Sequence, residues 1–322
     1  LKPECGVKPM KLVRKMLAGD VNALSRLITM VEDELIDVAE VMQEIHSRLG
    51  HSYCIGITGP PGVGKSTLVE KLTSIIRAEG FNIGIILVDP TSPVSGGALL
   101  GDRIRLQSHY LDDEVFMRSM ASRGKLGGLS KKVKSVAKIM DAFGKDFILL
   151  ETVGTGQVET DIVSIADTNI LVLMPHAGDI MQAMKAGIIE LADVFVINKA
   201  DLGKSGHLMA DIESIVSDRK REDNWMPPVV ETQAVNNIGI EAIFKEIERH
   251  RRFLKNENLL LQSRLGRATD EFRELVKDEM STRITKLLHE NEIFRKYLGK
   301  VETGELDPYS AFREILNLMP KF

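Results

Sequence analysis

An α/β fold with a doubly wound, mostly parallel sheet is what this 322-residue sequence predicts. Three observations carry that expectation. Short apolar runs recur between residues 53 and 234 and are apolar on both faces, as in strands covered by helices on each side. They alternate with helix-length stretches, which suits crossover connections between parallel strands. Glycine-rich or polar segments follow the ends of the runs, and right-handed crossovers gather such ends at one sheet edge, where ligands bind.

Taken in order, residues 11–49 read as helices. Leu24, Leu27, Ile28 and Val31 keep a 3–4 spacing, and Leu35, Val38, Met42 and Ile45 repeat it. Gly19-Asp20 reads as a break and a new N-cap. The expected strands are YCIGIT (53–58), NIGIILV (82–88), FILLE (147–151), NILVLM (169–174), DVFVIN (193–198) and PPVVETQA (227–234). From about residue 256 the pattern turns helical. Leu265, Ala268, Phe272, Leu275, Met280, Ile284 and Leu287 form a stripe that must cover something, either the sheet domain or another copy of the chain. The expected division is a helical extension over 1–50, a sheet domain over 51–255 and a helical arm over 256–322.

Composition narrows the function. A net charge of −4 and 5% aromatic residues give no electrostatic or stacking reason to expect a nucleic-acid or membrane partner. No apolar run reaches the length of a membrane span. Two cysteines, Cys5 and Cys54, supply neither a disulfide framework nor zinc spacing, which favours a reducing compartment. A cytoplasmic location is expected. The chain opens on Leu1, so a trimmed targeting segment, and with it a mitochondrial matrix location, is the alternative.

The most informative stretch is GPPGVGKST, residues 59–67, which satisfies G-x-x-x-x-G-K-[ST]. An apolar strand precedes it. A helix follows, with Leu68, Leu72, Ile75 and Ile76 on one face and Gly80 at its stop. The loop Gly59, Pro60, Pro61, Gly62, Val63, Gly64 lets backbone N–H groups approach phosphate oxygens where a Cβ would intrude. The helix N-terminus, which Thr67 enters, adds favourable partial charge. Lys65 reaches the β- and γ-phosphates, and Ser66 offers a hydroxyl to Mg²⁺.

NKAD, residues 198–201, follows a later strand and selects between bases. The Asp201 carboxylate can accept two parallel hydrogen bonds, which guanine offers through N1–H and its 2-amino group and adenine does not. Asn198 is expected to hold the loops together, and the Lys199 stem to cover the base. Gln233, Ala234 and Val235 end the next strand, with the Ala234 N–H directed to the guanine carbonyl.

Three acids follow strand ends: Asp89 after IILV, Asp102 in GGALLGDR, and Glu151 opening ETVGTGQ. Mg²⁺ takes oxygen ligands and keeps several waters, so one or two carboxylates beside Ser66 suffice. Glu151 with Gly154 has the shape of a Walker B segment leading to a glycine that senses the γ-phosphate. Residues 90–129 are glycine-rich and polar and read as one long switch loop. Lys65, Asp102 and Glu151 are the candidate catalytic residues. Gln157 is the weakest candidate for orienting water.

DPTSPVSGGALLGDRIR, RSMASRGKLGGLS, ETVGTGQVE, ADTNILVLMPHAGD and KAGIIELADVFVINKADL together resemble the MeaB/ArgK/MMAA GTPases, G-proteins associated with methylmalonyl-CoA mutase and related adenosylcobalamin enzymes. The resemblance runs from about residue 10 to the C-terminus and includes GELDPYSA. It implies a P-loop NTPase with a SIMIBI-like G domain, an N-terminal helical extension and a C-terminal dimerisation arm. It further implies GTP/GDP and Mg²⁺ as ligands, Asp89, Asp102 and Glu151 as metal and switch acids, and a homodimer. The implied partner is an adenosylcobalamin-dependent mutase that the GTPase loads, protects or reactivates. The segment 177–190 resembles the family's extra switch. Departures from the family pattern are Gln233 for a usual serine, Ile180 for an acid, and Thr155 and Val158 for Val and Ser.

Slow intrinsic hydrolysis, raised by a partner, is the expected behaviour. A P-loop kinase linked to lysine/arginine/ornithine transport is the rival. A nickel-delivery GTPase would want a His- or Cys-rich tract, whereas the seven histidines are scattered.

Overall fold

Seven strands between Tyr53 and Glu231 join into one sheet because each is flanked by helices whose apolar faces need cover. The computed structural model describes residues 9–89, 109–121, 128–152, 165–175, 187–203, 205–218 and 223–318. The strands are β1 (Tyr53–Thr58), β2 (Ile83–Asp89), β3 (Val115–Ala121), β4 (Phe147–Glu151), β5 (Thr168–Leu173), β6 (Val194–Ile197) and β7 (Val229–Glu231). Their order is β3-β2-β4-β1-β5-β6-β7, and every neighbouring pair is parallel. The central strand β1 is buried along its whole length, as its two-sided apolar pattern requires.

Helices α1 (Pro9–Leu17), α2 (Val21–Glu32) and α3 (Val38–Ile45) precede the sheet. Asp20 caps α2 by accepting from the Ala23 amide at 3.0 Å, and Asp37 caps α3 through the Ala39 amide at 2.9 Å. Leu24, Leu27, Ile28 and Val31 are all buried. At about 1.5–3 kcal/mol each relative to exposure, they hold α2 in place against α5 (Gly128–Phe143). These four helices and α6 (Ser205–Asp218) cover one face of the sheet. Helices α4 (Lys65–Ala78) and α7 (Ile240–Asn256) cover the other, through Leu68, Leu72, Ile243 and Ile247.

Two compact units divide the chain, Leu1–Leu260 and Leu261–Phe322. The N-terminal helices therefore belong to the same unit as the sheet. The second unit contains most of α8 (Leu259–Glu290), with α9 (Glu292–Glu302) and α10 (Pro308–Leu318). Asn291 caps α9, and Asp307 caps α10 just before Pro308, a residue suited to the first helical position. Phe294 and Ala311 are buried in this unit. Leu265, Phe272, Leu275, Met280, Ile284 and Leu287 are exposed.

One expectation is overturned. Residues 90–129 do not read through as a loop: β3 occupies Val115–Ala121 and pairs along its whole length with β2, and α5 begins at Gly128. Arg118 interrupts the apolar run and disguises it. Its guanidinium is drawn to the Glu32 carboxylate and the Thr29 hydroxyl of α2, so a charge is accommodated on a sheet strand. The expected run 227–234 contracts to three strand residues, since Thr232 onward turns away into the loop.

Candidate functional site

The loop between β1 and α4 is built around what its glycines make possible. At Gly59, with φ of 143°, a Cβ would land on the Val172 carbonyl of β5. At Gly64, with φ of 98°, it would strike the Asn198 amide. Both positions require glycine on two counts, conformation and space. Val63 between them is fully buried and anchors the loop in the core. Pro60 is buried, Pro61 and Gly62 are exposed, and Thr67 is half-buried in the first turn of α4. Helix α4 begins at Lys65, so its first N–H groups lack helical acceptors and face the loop as anion donors. Lys65 is itself buried, and its Nζ donates to the carbonyls of Gly59 at 2.7 Å and Pro60 at 3.0 Å. A phosphate oxygen offers that ammonium a charged partner in place of neutral carbonyls.

Asn198 joins this loop to the two beyond it. Its Nδ2 donates to the Val63 carbonyl at 2.7 Å. Its Oδ1 accepts from the Ala234 amide at 3.0 Å and from the Thr232 hydroxyl at 3.1 Å. Lys199 takes a left-handed conformation, φ 58°, and its Nζ donates to the Gly62 carbonyl at 2.7 Å. Asp201 stands exposed on a short 3-10 turn, Ala200–Leu202. The Gln233 side chain accepts from Asn236, and Val235 is exposed. The Ala234 N–H, expected to face a base carbonyl, donates to Asn198 Oδ1 in this structure.

On the other side of the loop the Ser66 hydroxyl donates to Glu151 Oε1 at 2.6 Å. Two oxygen groups from segments 85 residues apart thus meet where β4 ends and α4 begins. Oxygen donors of this kind fit Mg²⁺, which leaves most of its coordination to water and phosphate. Asp89 ends β2 two residues past Leu87, the register partner of Glu151, so its backbone lies at the same edge. The Asp89 side chain, Asp102, Gly154, Gln157 and most of 177–190 lie outside the described residues. Among the described residues no group of three or more His, Cys, Asp or Glu side chains forms a metal cluster.

Sequence reasoning passed over two features here. Thr152 donates through its hydroxyl to the Thr58 hydroxyl at 2.9 Å, both buried, between the ends of β4 and β1. No motif marks threonines at strand ends. His109 is buried against α4, its Nε2 3.2 Å from both the Ser74 hydroxyl and the Glu70 carbonyl.

At the opposite, amino-terminal edge of the sheet lies a second polar cluster. Tyr53, Thr168 and His250 form a chain of hydrogen bonds, 2.6 Å from phenol to hydroxyl and 2.9 Å from hydroxyl to ring nitrogen Nδ1, with Asp193 3.8 Å beyond. The Thr-His-Asp order imitates a nucleophilic triad. Thr168 is fully buried, however, and burial pushes the Tyr53 phenol upward, against the pull of its Thr168 bond. The cluster reads as a lock between α7 and the sheet.

Loop, helix N-terminus and Asn198 joint, set at the carboxyl ends of a parallel sheet, define a P-loop nucleoside triphosphatase. Comparisons with known proteins sharpen this. The family profile described as "Methylmalonyl Co-A mutase-associated GTPase MeaB" matches residues 24–288. The chain belongs to that family of GTPases. A relative from Pyrococcus abyssi that carries the name GTPase is 46% identical over 314 residues, covering 95% of each chain. The mouse "Methylmalonic aciduria type A homolog, mitochondrial" is 31% identical over 256 residues, covering 73% of this chain and 61% of its own. The crystal structure titled "LAO/AO transport system kinase" superposes with a TM-score of 0.70 at 25% identity, covering 96% of this chain and 97% of that one.

Proposed function

We propose that this GTPase is Mg²⁺-dependent and serves as the chaperone of an adenosylcobalamin-dependent acyl-CoA mutase, methylmalonyl-CoA mutase or a relative. In this reading it gates cofactor loading and protects or reactivates the mutase. The family match over residues 24–288, under a description that names the mutase, is the observation that carries the reading. A homodimer formed through the helical arm and a cytoplasmic location complete it. Exposed apolar residues along α8 support the dimer. Among the described residues no helix is long and apolar enough to cross a membrane.

The residues take the following roles. Asp201 reads guanine through N1–H and the 2-amino group, while Asn198 and Lys199 hold that reading loop against the phosphate loop. Lys65 leaves the loop carbonyls for the β- and γ-phosphates and neutralises charge that builds as the terminal phosphoryl departs. The α4 N-terminal amides hold the β-phosphate oxygens in place. Ser66 and Glu151, with Asp89 and Asp102, would hold Mg²⁺. Bound there, the ion would supply further charge neutralisation at the phosphates. Gly154 would report the γ-phosphate to the adjoining segments. Nothing in this set orients an attacking water strongly, so intrinsic turnover is slow.

The test is capture of purified mutase by this protein loaded with GDP or with a non-hydrolysable GTP analogue. Binding that differs between the two states is expected. No binding in either state would remove the chaperone role while leaving the GTPase intact. The neighbour titled as a transport-system kinase keeps one rival, and label from γ-phosphate-labelled GTP appearing on an acceptor rather than as free phosphate would favour it.

A further inference from the structure

The Ser66–Glu151 pair is held together across a gap that no single element spans. Ser66 takes its position from α4, which hangs from β1 through the loop 59–64. Glu151 takes its position from the last residue of β4. The separation of the two oxygens therefore depends on how firmly the ends of β1 and β4 stay side by side, and strand ends are where pairing frays.

On the reverse face of the sheet lies a clamp at that point. The register pairs Ile57 with Glu151. One residue further, the Thr152 amide donates to the Ile57 carbonyl at 3.1 Å, and the Thr152 hydroxyl donates to the Thr58 hydroxyl at 2.9 Å. Side chains alternate along a strand, so Glu151 faces α4 while Thr58 and Thr152 face the opposite layer. Thr58 directly precedes Gly59, which has no side chain to hold the loop, and Thr152 directly follows Glu151. Both hydroxyls are buried, where removal of one partner leaves the other without a substitute in water.

We infer that Thr58 and Thr152 are positioning residues for the divalent ion bound with the nucleotide: their hydroxyl pair sets the β1–β4 spacing that brings Ser66 and Glu151 to one point. The inference rests on the reading of Ser66 and Glu151 as ion-holding groups. An ordinary buried threonine pair would contribute to stability alone, and that difference can be measured.

Mn²⁺ serves as the probe, titrated into the full-length protein–GDP complex with free ion followed by electron paramagnetic resonance. GDP affinity in EDTA and the thermal midpoint are measured alongside. Thr152→Val should weaken Mn²⁺ binding by roughly 3- to 10-fold, the worth of one buried hydrogen bond, with GDP affinity in EDTA essentially unchanged. Thr152→Ser, which keeps the hydroxyl, should bind Mn²⁺ as the unaltered protein does. Thr58→Val carries the same comparison if Thr152→Val fails to fold. Unchanged Mn²⁺ affinity in the valine variants, even with a lowered thermal midpoint, overturns the inference. Glu151→Gln separates the two levels: if it leaves Mn²⁺ affinity intact, the ion-holding role of Glu151 fails and the inference fails with it. If Glu151→Gln weakens Mn²⁺ and the valine variants do not, only the positioning role falls.

Discussion

Asn198 is the residue on which the site turns. One buried amide satisfies a carbonyl of the phosphate loop, a backbone N–H of the last loop and a hydroxyl, and each partner is left behind if it is removed. Asn198→Ala should therefore cost about 2–5 kcal/mol of stability, seen as a lowered denaturant midpoint, because buried unsatisfied groups cost about 1–3 kcal/mol apiece. Asp201 is exposed, and its substitution tests recognition without that penalty. Asp201→Asn should weaken GDP binding about 10- to 100-fold with an unchanged thermal midpoint. It should also improve binding of xanthosine diphosphate, whose base presents a carbonyl where guanine has its amino group. Gly59, Lys65, Asn198 and Asp201 were legible in the sequence because each belongs to a short motif whose spacing has a chemical reason. The commitment of the Ala234 amide to Asn198 was not, since it depends on a contact 36 residues away. The Thr58–Thr152 pair escaped for the same reason, its members being 94 positions apart.

Among the elements, β3 shows where pattern reading fails. VFMRSMA lies in polar, glycine-rich surroundings and carries an arginine, so a local reading gives a loop. The arginine is tolerated because α2 provides a carboxylate and a hydroxyl, a provision visible only in the packed structure. Burial lowers the pKa of the Arg118 guanidinium, because a desolvated cation is disfavoured. Glu32→Ala should destabilise the protein by about 1–4 kcal/mol, since it strands a half-buried cation, and Glu32→Ala combined with Arg118→Met should recover part of the loss in denaturant unfolding. The turn before β3 is tied to α4 by Arg77 and Asp112, 2.8 Å apart. The bond from Arg77 holds the Asp112 carboxyl below its ordinary value of 3.8. A folded pKa below the unfolded one gives stability that is complete above the unfolded value and is lost as pH falls through the folded one. Urea midpoints measured from about pH 6 down to about pH 3 should fall less steeply in Asp112→Asn than in the unaltered protein. The remaining strands and α4 were legible, because strands buried on both faces make unbroken apolar runs.

For the whole molecule, the sheet architecture followed from alternation of runs and helices, while strand order did not. Nothing local states that β4 lies between β2 and β1, yet that placement brings Glu151 to Ser66. The long helix α8 presents Leu265, Phe272, Leu275, Met280, Ile284 and Leu287 to solvent within one chain. That apolar stripe is the surface the proposed dimer would bury. Under the dimer reading, Phe272→Asp combined with Met280→Asp should shift the sedimentation coefficient to that of a monomer while leaving GDP binding intact. A GTPase site requires the three loops joined at Asn198 to form one pocket selective for guanine. Calorimetric titration of the unaltered protein with GDP and, separately, with ADP tests this most directly. GDP binding at least about 100-fold tighter than ADP, some 2.7 kcal/mol, is the predicted result. Equal affinities, or tighter binding of ADP, would contradict it.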